Sequence, residues 1–251
     1  MTDHLHDLAA GGEIRGADLA GRDLAAALPD RPGRPLALTE CDLRGADLRG
    51  ACLTGAVLAR CAADGARFDR ADLDGARFDR ADLDGARFEG GTAAEASFTA
   101  AECADAVFDG TDLAGTRWAG AVLTDTAFTG CRLTGADFEG SRGIGAVFTR
   151  CNLMLASLKG MALRGREFAG DRLDEADLAG ADLRATVWRQ SRLRGAVLAG
   201  ADLRGADLRG ADLGEIRLEK AEALRGATLS AEQAGMLLSS LGITVAPAEP
   251  D

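Results

Sequence analysis

Ala-Arg-Phe-Asp-Arg-Ala-Asp-Leu-Asp-Gly occupies positions 66–75 and occurs again, unchanged, at 76–85. Each block is two five-residue units of one pattern: a small residue, a polar residue, a large apolar residue, then two positions that are polar or glycine. Outward from this stretch the register holds from Leu43 to Leu218 without a slip. Every fifth position over that span gives 36 centres: 21 Leu, 9 Phe, 2 Trp, Ala63, Ala93, Cys103 and Gly143. All nine Phe and both Trp of the chain fall in this one frame. Two residues before the centre stands Ala at 21 of the 36 units, and Cys, Thr or Ser at ten more. An internal repeat this strict sets the architecture before local propensity is weighed.

A period of five suits neither a helix, which places apolar residues three and four apart, nor a flat strand, which alternates. Successive centres would rotate around a helix and form no stripe. Gly stands two residues after the centre in many units, where it suits a bend after a short extended stretch. The chain is therefore expected to turn every five residues. The centre and the small residue point inward. The other three positions point outward and carry nearly all Asp, Glu and Arg. Units of this size cannot bury a core alone and must stack as a solenoid.

With units such as Ala-Asp-Leu-Arg-Gly at 201–205 and 206–210, the sequence resembles the pentapeptide-repeat family. That resemblance implies an all-β fold, a right-handed quadrilateral β-helix in which four units make a square coil of about 20 residues. The chain offers its own test. Centres 20 apart should stack, and one such column runs Leu48, Phe68, Phe88, Phe108, Phe128, Phe148, Phe168, Trp188, Leu208. The opposite column runs Leu58, Phe78, Phe98, Trp118, Phe138 and then Leu. The other two hold Leu, Ala63, Ala93, Cys103 and Gly143. Aromatic residues on two facing walls, with smaller ones on the other two, are what dense packing of a narrow square core requires.

Three segments follow. Residues 1–37 form an N-terminal cap: an imperfect first coil with Ile14, Leu19 and Leu24 five apart but one off the main frame, then a stretch with three of the five Pro. That stretch reads equally as a loop bulging from the first coil or as a linker. Residues 38–228 are the β-helix. Residues 229–251 hold a short C-terminal α-helix and tail. Ser230 with Gln233 reads as a capping box, and Gly242 is placed to stop the helix. Met236, Leu237, Leu238 and Leu241 give it an apolar face. This helix caps the open end of the solenoid and, as the resemblance implies, joins two monomers into a homodimer.

One coil is irregular. Met161, Arg166 and Asp171 stand at the small inward position. A buried unpaired charge is costly, so Arg166 and Asp171 must pair or the coil must bulge. A local bulge that lets Arg166 reach solvent is expected.

Catalysis is not expected. The two His are His4 and His6, there is no Tyr, and no nucleophile stands at a base's usual spacing. Carboxylates recurring once per unit decorate a surface and do not form an acid–base pair. Cys41, Cys61, Cys131 and Cys151 stand at the small inward position and Cys103 at a centre, so they read as small buried hydrophobes in place of Ala. Without CxxC spacing no metal site is supported, and no cofactor is expected. No run approaches 18 apolar residues, and Met1–Ala10 carries two Asp and no Lys or Arg. A cytoplasmic protein without a membrane span is expected.

The formal net charge of −11 disfavours direct nucleic-acid binding. Acidity concentrates on the wall of Leu43, Ala63, Leu83, Cys103 and Leu123, where residues 61–125 carry Asp64, Asp82, Asp84, Glu102, Asp105 and Asp125 and no base. The opposite Leu wall adds Asp72, Asp74, Glu95 and Asp112, with no base before Arg132. A narrow rod with regular carboxylates can stand in for the backbone of duplex DNA. The resemblance extends to the quinolone-resistance and albicidin-immunity members of the family, and implies a type II topoisomerase, DNA gyrase or topoisomerase IV, as partner and protection from a poison as the role. The unbroken frame is similar to the loop-free mycobacterial type. The alternative is a structural or interaction scaffold with another partner.

Overall fold

The computed structural model describes residues 13–25, 35–215, 222–240 and 242–246. The chain winds as a β-solenoid of about ten turns closed by one short helix. On the wall of the first Phe column the ladder is continuous enough to form strands. These are β3 (Arg87–Glu89), β4 (Val107–Asp109), β5 (Ala127–Thr129), β6 (Val147–Thr149), β7 (Glu167–Ala169), β8 (Val187–Arg192) and β9 (Asp207–Asp212), in one parallel sheet in sequence order. Phe88 pairs with Phe108, Phe108 with Phe128 and Phe128 with Phe148, so the coil is 20 residues. The other walls pair through single parallel bridges at the same spacing, such as Asp82 with Glu102 and Thr92 with Asp112. Five residues per side leave room for one bridging residue before the next corner.

The corners explain the Gly spacing. Two residues after the centre the backbone is left-handed, with Gly at most units; where Gly is missing, Arg70, Arg80, Asp105 and Asp125 take the same conformation at φ of 52–59°.

The core is one column wide on each side. The rings of Phe68, Phe88, Phe108 and Phe128 stack in parallel with centroids 4.5–5.0 Å apart. Phe78, Phe98, Trp118 and Phe138 stack on the facing wall, and the two columns meet edge to face, as at Phe68 and Phe78, 5.4 Å apart. Every one of these rings is buried. The small residues that are not Ala have a shared task. Thr111 donates to the Phe88 carbonyl (2.6 Å), Thr126 to Cys103 (2.7 Å), Cys131 to Phe108 (3.3 Å), Cys151 to Phe128 (3.3 Å) and Ser191 to Phe168 (3.1 Å). Each satisfies a buried carbonyl 23 positions back. Thr116 and Thr186 instead accept the indole N–H of Trp118 and Trp188. Cys41, Cys61, Cys103, Cys131 and Cys151 are buried free thiols.

At the N-terminal end β1 (Glu13–Arg15) pairs in parallel with β2 (Ala37–Thr39), Ile14 opposite Leu38. The segment before the Pro-rich stretch is thus a coil of the rod. Residues 26–34 lie outside the described residues. At the other end Thr228 bridges to Asp207, a spacing of 21, so the 20-residue register has slipped by one. Helix α1 (Ala231–Ser239) carries the predicted capping box, and Gly242 has φ +74°. Gln233 does more than cap α1. Its amide donates to the carbonyls of Leu208 (2.8 Å) and Ala211 (2.7 Å), seating the helix on the last coil.

The irregular coil departs in part from expectation. Arg166 is half-buried, and the Phe148–Phe168 stack beside it opens to 6.4 Å, the widest of the column. It does not pair with Asp171. Asp171 is fully buried, with Oδ1 accepting the Cys151 N–H (2.7 Å) and Oδ2 without a partner. A larger irregularity lies at Ser141–Gly145, inside the unbroken frame. Gly143 occupies a centre, so no side chain holds that unit inward, and the unit swings out. Arg142 bridges to Val122 and Ala162 to Asp182, but no bridge joins Arg142 to Ala162 among the described residues.

Candidate partner-binding surface

The ladder puts the six acidic residues on one wall, in consecutive coils. The bridges Ala62–Asp82, Asp82–Glu102 and Glu102–Val122 run straight down it. Asp84, Glu102, Asp105 and Asp125 are exposed; Asp64 and Asp82 are half-buried. The burial of Asp82 corrects the expectation of full exposure. Its Oδ1 accepts the Asp84 N–H (3.2 Å), and Asp84 in turn accepts the Ala104 N–H (2.8 Å). These bonds tie carboxylates to the backbone of their own and the next coil, so the charges are held in place. Burial first, then the neighbouring Asp64, Asp84 and Glu102, push the Asp82 carboxyl above its ordinary value.

What distinguishes the stretch of this wall within residues 61–125 is the absence of ion pairs among the described residues. On the same wall Asp42 is paired with Arg44, Asp182 with Arg184 and Asp202 with Arg204. Arg44 holds Asp42 down at about 2, and Arg204 does the same for Asp202. Among the described residues Asp64, Asp82, Asp84, Glu102, Asp105 and Asp125 make no ion pair. The signal was in the sequence: a paired unit reads Asp-Leu-Arg, whereas 82–84 reads Asp-Leu-Asp. The opposite wall is mixed, since Asp112 is bound by Arg132 while Asp72, Asp74 and Glu95 are not.

The four residues expected at a dimer contact separate. Leu237 packs on the core of the rod, one turn from Gln233. Met236 and Leu238 are 44% and 39% exposed. Leu241 lies outside the described residues. Ile243, whose N–H donates to the Leu238 carbonyl (3.1 Å), adds a further exposed apolar side chain that the helical pattern did not include.

Among the described residues no group of three or more His, Cys, Asp and Glu side chains converges to hold a metal ion. No described helix is long and apolar enough to cross a membrane. His4 and His6 lie outside the described residues.

A wound rod of stacked five-residue units with a charged outer face defines a pentapeptide-repeat β-helix, and the comparisons agree. Family models described as pentapeptide repeats match residues 38–86, 65–138, 131–165 and 175–214, and the chain belongs to the pentapeptide-repeat family. Among solved structures it is similar to HetL of the cyanobacterium Nostoc, a pentapeptide-repeat protein involved in heterocyst differentiation regulation. The identity is 26% and the TM-score 0.75, over 85% of this chain and 96% of that one. It is also similar in fold to trypsin-treated QnrB1, a plasmid-mediated fluoroquinolone resistance protein. There the identity is 23% and the TM-score 0.56, over 94% of this chain and 100% of that one. Among curated proteins no sequence is a significant match.

Proposed function

We propose that this chain is a non-catalytic protein that presents a DNA-like acidic face to a type II topoisomerase, DNA gyrase or topoisomerase IV, and shields that enzyme from a poison such as a fluoroquinolone or albicidin. The observation that carries the reading is the wall of unpaired carboxylates. Six charges over four coils, each rising about 4.8 Å, give roughly one charge per 3 Å of axis. One strand of duplex DNA carries a phosphate about every 3.4 Å. Carboxylates with no Arg beside them remain available to a basic groove, whereas the Asp–Arg pairs elsewhere on the rod are already neutralised. The likeness to QnrB1 speaks for the fold alone. A second copy is proposed to dock through Met236, Leu238 and the adjoining Ile243, giving a homodimer of two rods.

The likeness to HetL, a protein involved in differentiation regulation, favours a second reading, an interaction scaffold with a different protein partner. Gyrase supercoiling in the presence of a fluoroquinolone or albicidin separates the two. Added protein should restore supercoiling at poison concentrations that otherwise abolish it. No protection, and no binding to gyrase or topoisomerase IV at low salt, would leave the scaffold as the better account.

A further inference from the structure

The acidic wall ends at Ser141–Gly145, the unit that makes no bridge to the coil after it among the described residues. Ser141-Arg-Gly-Ile-Gly145 presents Ile144 at 71% exposure, the most exposed large apolar side chain among the described residues. At the matching position of the other units on this wall stand Arg44, Asp64, Asp84, Ala104, Thr124, Arg164, Arg184 and Arg204. Ile144 is therefore the sole large apolar residue in that row.

The unit is held firmly, and on one side. Arg142 donates to the Ala121 carbonyl (2.7 Å) and accepts from Leu123 (2.8 Å), while Ile144 accepts the Asp125 N–H (3.0 Å). Gly143 and Gly145 have φ of +98° and +102°, well beyond the corner glycines of the rod. A Cβ at Gly143 would sit 2.7 Å from Thr124 Oγ1, and one at Gly145 would collide with the Asp125 carboxylate. The unit is thus pressed onto the last acidic coil and detached from the coil that follows. A ladder of hydrogen bonds has been given up, and an isoleucine put in water, at the point where the carboxylates stop.

We propose that Ile144 is the apolar anchor of the acidic wall: it seats in a nonpolar recess at one end of the basic groove that receives the carboxylates. This rests on the reading of the wall as a topoisomerase-binding face. The two parts have separate roles. Dispersed charge steers encounter and sets the association rate, while a buried apolar contact at the edge slows dissociation. The anchor also fixes polarity. Its own unit carries Arg142 and the next unit on the wall Arg164, so a rod bound in the reversed direction would set these against a basic surface.

The test is the binding kinetics of wild-type protein, Ile144→Ala, Leu155→Ala and the triple variant Asp84→Lys/Glu102→Lys/Asp105→Lys on immobilised gyrase at two salt concentrations. Leu155 is 58% exposed on the opposite Leu wall and serves as the control. Loss of a partly buried isoleucine contact should speed dissociation about tenfold. Association rate and salt dependence should be unchanged in Ile144→Ala, and Leu155→Ala should match wild type. The triple variant should instead lose association rate and salt dependence. Wild-type binding with an unaltered off-rate in Ile144→Ala would overturn the anchor and leave the acidic-face reading standing. Absence of wild-type binding at low salt would remove both.

Discussion

Gln233 reaches from the first turn of the C-terminal helix to the carbonyl of Leu208, in the last complete coil, at 2.8 Å. Its second amide hydrogen takes the Ala211 carbonyl, and its Oε1 accepts the Ser230 N–H. A solenoid's final coil has no next coil to receive its backbone groups, and this one side chain supplies two donors there. Gln233→Ala should cost about 2–3 kcal/mol, because buried carbonyls lose their partners. Gln233→Glu, which keeps the length but replaces the donor with a carboxylate, should cost at least as much. Thermal melts give the loss, and amide exchange should quicken at 206–213 and not at 86–110. Uniform exchange along the rod would show that the cap acts otherwise.

The aromatic columns carry the stability of the middle coils. Phe108 lies between Phe88 and Phe128, 4.5 and 5.0 Å away, with Trp118 edge-on at 5.4 Å. A core one residue wide has nothing to fill the gap. Phe108→Ala should cost about 3–5 kcal/mol. Glu102→Ala, on the outer face and exposed, should stay within about 0.5 kcal/mol. Equal losses in denaturant titrations would contradict the packing.

Asp171 makes stability depend on pH. Burial pushes its carboxyl up to about 6, against the pull of the Cys151 N–H. Below about pH 4 the group is protonated in both folded and unfolded chains and costs nothing. From there to about pH 6 the unfolded chain ionises first, so folding is progressively penalised. Above that the penalty is complete, roughly 2–3 kcal/mol. One coil on, Ser191 accepts the Asp171 N–H and donates to Phe168, both at 3.1 Å. A serine at 171 can repeat this with Cys151 and Phe148. Asp171→Ser should raise stability at pH 8 and leave it nearly unchanged at pH 4. A gain of the same size at both pH values would rule out an ionised carboxylate as the cause.

These sites also mark what the sequence could disclose. Phe88 over Phe108 was legible, because a side chain repeated every 20 residues has one place to go in a square coil. The Ser230–Gln233 box was legible as a helix start, but not the bonds from Gln233 to Leu208 and Ala211, which need partners 25 and 22 positions away in the chain. The Gly143 bulge was hidden for the opposite reason. No residue is inserted there, so the frame runs on unbroken while the missing side chain lets the unit swing out. The acidic wall followed from counting outward residues. Its lack of ion pairs, and the half-burial of Asp82, depend on where side chains settle.

The dimer is tested at the exposed part of the helix. Leu237 belongs to the rod's own cap, so charges there would disturb folding and association together. Met236→Asp with Leu238→Asp leaves the cap intact while placing charge on the exposed apolar face. Sedimentation should show a dimer for wild type and a monomer for the double variant, with unchanged melting of the rod. A monomeric wild type would end the dimer reading and leave the capping role untouched.

The acidic wall makes the sharpest functional demand. Attraction between unlike-charged surfaces fades with salt, and a protein occupying a DNA groove must compete with DNA. Binding to gyrase should therefore weaken steeply as salt rises and be displaced by linear duplex. Asp84, Glu102 and Asp105 are exposed, and among the described residues their side chains form no ion pair. Reversing all three to Lys changes the wall by six charges without opening the core. The variant should fold with wild-type melting and lose both binding and protection. The matched control reverses Arg77 and Arg80 to Glu on an aromatic wall. Arg77 is already neutralised by Asp79 at 2.7 Å, so this change introduces charge of the opposite sign away from the proposed face. It should leave binding within about twofold of wild type, the size of change expected from charges remote from a contact. Equal losses in the two variants would mean that binding does not depend on this wall in particular, and the DNA-like face would have to be given up.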